Sequence, residues 1–187
     1  MRNEERWYKH IRPKVLPDFT PRLKRDMETL TPPDDLPPLG SYFVHGDVHT
    51  GKTVWAAWMM LEAEKDRYLH PGHWESHILF FKTSEILNDI KSIYDDPLRD
   101  EKAYMDQLSN AGFLVLDDFG SERPTDWVLG ILYLLIDRRY ENMKHTIFTS
   151  NHSLEEIAEK FGDDRITSRI ERMCNNGENI YELKKKF

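Results

Sequence analysis

Residues 46–53 read Gly-Asp-Val-His-Thr-Gly-Lys-Thr, two glycines with four residues between them and then Lys and Thr, and no other stretch limits the possible folds as strongly. The pattern is that of a loop whose backbone N–H groups wrap a phosphate. It works only between a strand and a helix, and both flanks comply. Ser41-Tyr42-Phe43-Val44-His45 is short, aromatic and β-branched, as a buried strand requires, and Val54 to Leu69 has helix-forming composition without Pro or Gly.

The residue types follow from the task. Gly46 and Gly51 permit the turns that face successive N–H groups inward, and the following helix adds its positive N-terminal end. Lys52 is placed to contact the β- and γ-phosphates and Thr53 to offer its hydroxyl to Mg²⁺. The expected cradle runs through Gly46, Asp47, Val48, His49, Thr50, Gly51, Lys52, Thr53 and Val54. His49 stands where many such loops carry another glycine. If that position needs φ > 0, His adopts it at tolerable cost and stiffens the loop. The plain alternative is a Gly-Lys-Thr turn that binds nothing.

A length of 187 residues suits one domain with a substantial core. No run approaches the ~20 apolar residues of a membrane span, and the N-terminus lacks an apolar signal core. Cys174 is the single cysteine, so no internal disulfide can form. A cytoplasmic protein with no membrane partner is expected. The net charge of -7, from 33 acidic and 26 basic residues, argues against strong non-specific adhesion to nucleic acid. Any DNA contact must come from a local patch.

Residues 1–40 carry prolines at 13, 17, 21, 32, 33, 37 and 38 around a short helix at Arg22 to Thr29. They are expected to be a lead-in packed on the core, with Tyr8, Ile11 and Val15 available to close over a base; a surface arm is the alternative. Residues 41–187 form the main domain. His70-Pro71-Gly72 stops the first long helix, and Ser76 to Lys82 reads as a second strand. His70, His73 and His77 are joined by neither Cys nor a well-spaced acid, so exposed imidazoles are expected there, not a metal site. Ser84 to Asp95 sets Ile86, Leu87, Ile90 and Tyr94 on one helical face, and another helix is expected over Leu98 to Asn110.

Phe113-Leu114-Val115-Leu116 is a continuous apolar strand followed at once by Asp117-Asp118. In open α/β sheets, ligands bind at the C-terminal ends of the strands. Asp117 is placed to hold Mg²⁺ through its water shell, and Asp118 to accept a proton from, or orient, the water attacking a γ-phosphate. A simple acidic turn is the alternative. Thr125 caps a helix over Asp126 to Asn142 in which Trp127, Val128, Ile131, Leu132, Leu134, Leu135 and Ile136 are dense enough to require burial on the sheet. A strand over His145 to Thr149 delivers Ser150-Asn151 beside the same phosphate, where Asn151 senses it, positions the water, or merely caps the next turn. Ser153-Leu154-Glu155-Glu156 is a capping box that opens a helix ending at Gly162. The helix over Asp164 to Cys174 carries Ile166, Ile170 and Met173 on one stripe and Arg165, Arg169 and Arg172 on an adjoining face. That arginine row suits an external anion, either a neighbouring subunit's γ-phosphate or a DNA backbone; a solvated basic face is the bland reading. Asn179 to Leu183 suggests a last strand. Alternating strands and helices make the expected fold a three-layer α/β/α P-loop NTPase with a mostly parallel five-stranded sheet.

Four stretches, GDVHTGKT, VLDDFGSE (Val115 to Glu122), TIFTSN (Thr146 to Asn151) and FGDDRITSRI (Phe161 to Ile170), resemble in order the motifs of AAA+ ATPases of the bacterial helicase-loader group, the DnaC/DnaI type. The IstB-type transposition helper ATPases are close relatives of that group. The resemblance makes Lys52 and Thr53 the Walker A pair and Asp117 the Walker B acid. Asp118 takes the position of the catalytic acid, Asn151 that of sensor 1, and Arg169 that of the arginine finger, with Arg165 the second candidate. It implies ATP and Mg²⁺ as cofactors, an ATP-dependent homo-oligomer, single-stranded DNA on an inner surface and a replicative DNA helicase as partner. Few residues precede the core where loaders usually carry a helicase-binding domain, and no separate helical lid is expected after the last strand.

Two classes of function follow. One is an ATPase of DNA replication that assembles on DNA and delivers a helicase. The other is a nucleotide-controlled adaptor or transposition helper with little intrinsic hydrolysis. A P-loop kinase of small molecules is a distant third, since no acceptor-binding lid is visible.

Overall fold

Runs of β-branched and aromatic residues form a central sheet, and the segments between them, apolar at helical spacing, cover it. The computed structural model describes residues 19–29, 36–72, 77–94, 96 and 99–184. In chain order the elements are α1 (Pro21–Thr29), β1 (Tyr42–His45), α2 (Lys52–Leu69), β2 (Ile78–Lys82), α3 (Thr83–Tyr94), α4 (Glu101–Asn110), β3 (Phe113–Asp117), α5 (Asp126–Glu141), β4 (His145–Ser150), α6 (Leu154–Phe161), α7 (Arg165–Met173) and β5 (Ile180–Glu182). The five strands are all parallel, in the order β2-β3-β4-β1-β5. Among the described residues no helix is long and apolar enough to cross a membrane.

The side chains alternate between two apolar layers, as the period of a strand demands. Tyr42, Val44, Ile78, Phe113, Val115 and Ile147 face α2 and α1, and Leu23 and Met27 of α1 join the same core together with Phe19 just ahead of it. Phe43, Leu114, Leu116 and Phe148 face the layer built by α3 to α7. Burial on both faces explains why the strands read as continuous apolar runs.

Register then fixes the business end of the sheet. His45 pairs with Ser150 and Lys82 with Asp117, so β1, β4, β3 and β2 end along one edge. β4 lies between β1 and β3, which places the strand bearing Ser150-Asn151 between the loop strand and the acid strand.

Several expected boundaries move for identifiable reasons. α2 starts at Lys52, ahead of Val54, so Lys52 and Thr53 occupy its first turn. α4 starts at Glu101 and not at Leu98, because the Asp100 side chain accepts from the N–H groups of Lys102 and Ala103. Tyr94 does not share the buried face of α3: it is 58% exposed, and Ile93 takes the inward position after Ile90. Leu134 is also outside the core at 39% exposure, because the inward stripe of α5 runs through Ile131, Leu132, Leu135 and Ile136. Tyr8, Ile11, Val15 and His73 lie outside the described residues.

The opposite edge of the sheet is closed by Arg139, which is fully buried near the end of α5. Its Nη1 donates to the carbonyls of Leu108 (2.7 Å) and Ala111 (2.8 Å), its Nη2 to that of His145 (2.6 Å), and its Nε to Thr146 Oγ1 (2.8 Å). One planar fork thereby ties the end of α4 to the start of β4. Burial pulls the guanidinium down to about 9, which leaves it charged at neutral pH. Arg139→Met keeps the volume and strands those acceptors, at about 1 kcal/mol or more for each. The expected loss is roughly 3 kcal/mol of unfolding free energy, read as a lower urea midpoint at unchanged slope.

Candidate functional site

The loop after β1 adopts the conformation that its residue types allow. Gly46, His49 and Gly51 have φ of 136°, 67° and 93°. A Cβ on Gly46 would run into the backbone carbonyl of Leu183, so both conformation and space exclude any other residue there. His49 holds the left-handed position itself, at some cost in strain. α2 has no side-chain cap, so the N–H groups of its first turn remain available to an anion.

Lys52 is only 6% exposed, and its ammonium donates to the carbonyls of Gly46 (2.8 Å) and Asp47 (2.7 Å). It lies back across the loop it serves. Burial lowers its pKa, against the opposing pull of Asp118, Asp117 and Asp47. Val48 at the loop tip is 55% exposed, and Thr50 Oγ1 donates to the Asp47 carbonyl at 2.9 Å.

Asp117 is the electrostatic centre. It is 1% exposed, and its Oδ1 accepts from Thr53 Oγ1 at 2.9 Å and from Thr149 Oγ1 at 2.6 Å. Its Oδ2 has no hydrogen-bond partner among the described residues. Burial pushes the carboxyl up, and the hydrogen bonds from Thr149 and Thr53 hold it down. A hydroxyl and a carboxylate this close, with one oxygen free, fit a small hard cation that keeps most of its water. Thr83 Oγ1 fixes the Asp117 backbone by donating to its carbonyl at 3.1 Å.

Asp118 breaks the strand with φ 58°, and its N–H donates to Thr149 Oγ1 at 3.1 Å. Its carboxylate points away from the strand, with Oδ2 3.8 Å from Lys82 Nζ. Asn151 follows β4 directly and is exposed, without a hydrogen-bond partner among the described residues. The capping role open to it belongs to others: Ser150 Oγ accepts from His152 N–H, and Ser153 with Glu156 forms the capping box of α6. Asn151 therefore follows β4 at the same edge of the sheet as the loop and Asp118. Thr149, Thr83 and Lys82 were not singled out by sequence. Lys82 ends β2, Thr83 follows it and Thr149 is the penultimate residue of β4, and parallel register is the signal that finds them.

The arginines of α7 do not form one uniform exposed row. Arg165 is held by Asp163, and Arg169 donates from Nε to Asp137 Oδ1 at 2.6 Å, while Arg172 is exposed. All three lie on a helix remote in sequence from the loop.

With the loop, the acids and the intervening β4 in place, the comparison with known sequences is direct. The sequence model of the IstB-like ATP binding proteins matches residues 43–182. The chain belongs to the IstB-like ATP-binding family. Among curated relatives of this family member, the uncharacterized protein YqaM of Bacillus subtilis (strain 168) is 28% identical over 105 residues, 54% of this chain and 32% of the relative. The replicative helicase loader DnaC of Escherichia coli (strain K12) is 24% identical over 93 residues, 50% of this chain and 38% of the relative. The matched stretch thus spans well under half the length of either relative. A crystal structure of the DnaC helicase loader superposes with a TM-score of 0.67 at 23% identity, covering 88% of this chain and 100% of the other. AMPPCP-bound DnaA from Aquifex aeolicus gives 0.62 at 16% identity, covering 87% of this chain and 44% of the other. DnaI gives 0.60 at 20%, covering 87% and 81%. These likenesses establish the fold, three α/β/α layers around a parallel sheet.

Asp117→Asn tests the electrostatic reading. A carboxyl raised by burial penalises the folded state fully above its folded pKa, and the penalty fades as pH falls toward the unfolded value. The amide keeps an oxygen for Thr53 and Thr149 and removes the charge, so the variant is expected to melt higher than the parent at pH 7 without metal. The gain should shrink on acidification, while binding of Mg²⁺–nucleotide weakens.

Proposed function

We propose that this protein binds and hydrolyses ATP as an AAA+ component of DNA replication, a helicase loader that works with single-stranded DNA and a replicative helicase. The observation that carries the reading is the Thr53–Asp117–Thr149 hydrogen-bond set beside a loop of phosphate-binding shape. Family membership supports the nucleotide, and likeness to DnaC supports the setting.

In this reading Lys52 exchanges its two loop carbonyls for the β- and γ-phosphate oxygens, and the first-turn N–H groups of α2 take the remaining charge. Thr53 and Asp117 would hold Mg²⁺, which supplies charge neutralisation on the phosphates. Asp118 takes the proton of the attacking water or orients it, and Asn151 holds that water against the γ-phosphate. Arg169, or failing it Arg165, reaches the nucleotide of a neighbouring copy, which makes turnover depend on a homo-oligomer.

A second reading keeps the nucleotide and drops the turnover. Asp118 is one methylene shorter than the Glu of most AAA+ proteins, and Lys82 stands against its carboxylate at 3.8 Å. Those features favour a nucleotide-controlled adaptor or transposition helper with slow intrinsic hydrolysis.

Phosphate release and sedimentation with a nonhydrolysable ATP analogue, with and without single-stranded DNA, separate the two. Arg169→Ala is expected to lower turnover by about 10³-fold or more while nucleotide affinity stays within about twofold. Normal turnover in that variant would refute the finger assignment. Wild type that binds ATP and assembles on DNA with no phosphate release supports the adaptor. Lys52→Ala is expected to lose nucleotide binding under every condition.

A further inference from the structure

Two stripes meet where α5 packs on α7. Tyr133, Asp137 and Tyr140 recur at i, i+4 and i+7 on one face of α5, and Arg165 and Arg169 at i and i+4 on the facing side of α7. Arg169 Nε donates to Asp137 Oδ1 at 2.6 Å, and its guanidinium carbon stands 5.3 Å from the ring centre of Tyr140 and 5.9 Å from that of Tyr133. Both rings are within cation–π range. The head group is therefore held by three contacts from a single neighbouring helix.

What those contacts leave open is as informative. Arg165 spends its side edge on Asp163, with Nε at 2.7 Å and Nη2 at 2.6 Å from the same carboxylate oxygen, and shares the Tyr133 ring at 5.3 Å. Arg169 spends only Nε. Its terminal Nη1 and Nη2 have no hydrogen-bond partner among the described residues, and the side chain remains 26% exposed. Arginine–carboxylate pairs are frequently bidentate, whereas this one engages Asp137 through Nε alone. Here one hydrogen bond and two rings hold the head group, and its terminal edge faces no acceptor among the described residues. A free surface arginine would lose its rotamer freedom only on meeting an acceptor outside the chain, whereas this one has lost it already.

The geometry points to Asp137, flanked by Tyr133 and Tyr140, as the positioning residue that aims the terminal nitrogens of Arg169 at a phosphate held by a second copy of this chain. The inference rests on the trans-acting arginine proposed above and adds what holds that arginine ready. Asp137 acts through Arg169 and touches no nucleotide of its own subunit.

Sedimentation of the full chain with a nonhydrolysable ATP analogue tests it. Asp137→Asn is expected to bind the analogue as tightly as wild type and to need at least about tenfold more protein to assemble, and its turnover to fall by about ten- to a hundredfold. Tyr140→Leu, which leaves the ion pair intact, should shift assembly in the same direction by less. The deciding experiment is a mixture. Lys52→Ala lacks nucleotide but still presents an aimed arginine, and Asp137→Asn holds nucleotide but presents a loose one. The equimolar mixture should form pairs at concentrations where each variant alone is monomeric. Wild-type-like assembly of Asp137→Asn, or a mixture that stays monomeric, would overturn the inference while leaving nucleotide binding and the Arg169 assignment intact. A wild type that stays monomeric with the analogue would remove the trans-acting arginine and this inference together.

Discussion

A carboxylate buried at the centre of an apolar sheet is the constraint around which the rest of the structure is arranged. Asp117 ends β3 with almost no exposure, and an unpaired charge in such a place is costly. Two hydroxyls make it tolerable, one from the first turn of α2 and one from β4. Each hydroxyl fixes more than the charge. Thr53 registers the loop helix against the acid strand, and Thr149 also accepts the Asp118 N–H, which sets the turn that throws the second acid outward. The first turn of α2 and both acids are thus positioned by one short chain of hydrogen bonds that joins α2, β3 and β4.

Much of this was legible in residue order. The loop between Gly46 and Thr53 announces itself because its backbone needs glycine where a Cβ has no room, and the strand-ending Asp117-Asp118 pair stands out because charge seldom follows so apolar a run. The strands were found as continuous apolar stretches for the reason that both sheet faces are covered. What stayed hidden depends on three-dimensional register. Thr149 is an ordinary strand residue until β4 is known to lie beside β3, and Lys82 is an ordinary lysine until Asp117 is found opposite it. Tyr94 and Leu134 were misplaced because a dense apolar helix offers more than one plausible inward stripe, and only packing chooses.

The arginines of α7 show the same limit from the other side. Spacing put Arg165, Arg169 and Arg172 on a common face, yet the partners that distinguish them come from elsewhere. Asp163 precedes the helix, and Asp137 with its two tyrosines belongs to α5. Side chains equal in sequence become unequal in availability. Arg139 is the extreme case, a cation that a charge count treats as surface but that the fold uses as an internal clamp.

The strand order also dictates how this chain must be built. β1 and β3 flank a gap that β4 alone fills, and β4 comes after both; the contact between Thr146 and Ser41 spans 105 residues. Until β4 arrives, the two strands carrying the loop and the acids expose unpaired edges and have no common frame. Long-range parallel pairing of this kind is intrinsically slow, because the chain loses its entropy before the contacts reward it. The segment that completes this edge is therefore also the keystone of the sheet, and the candidate site is assembled only when the architecture locks.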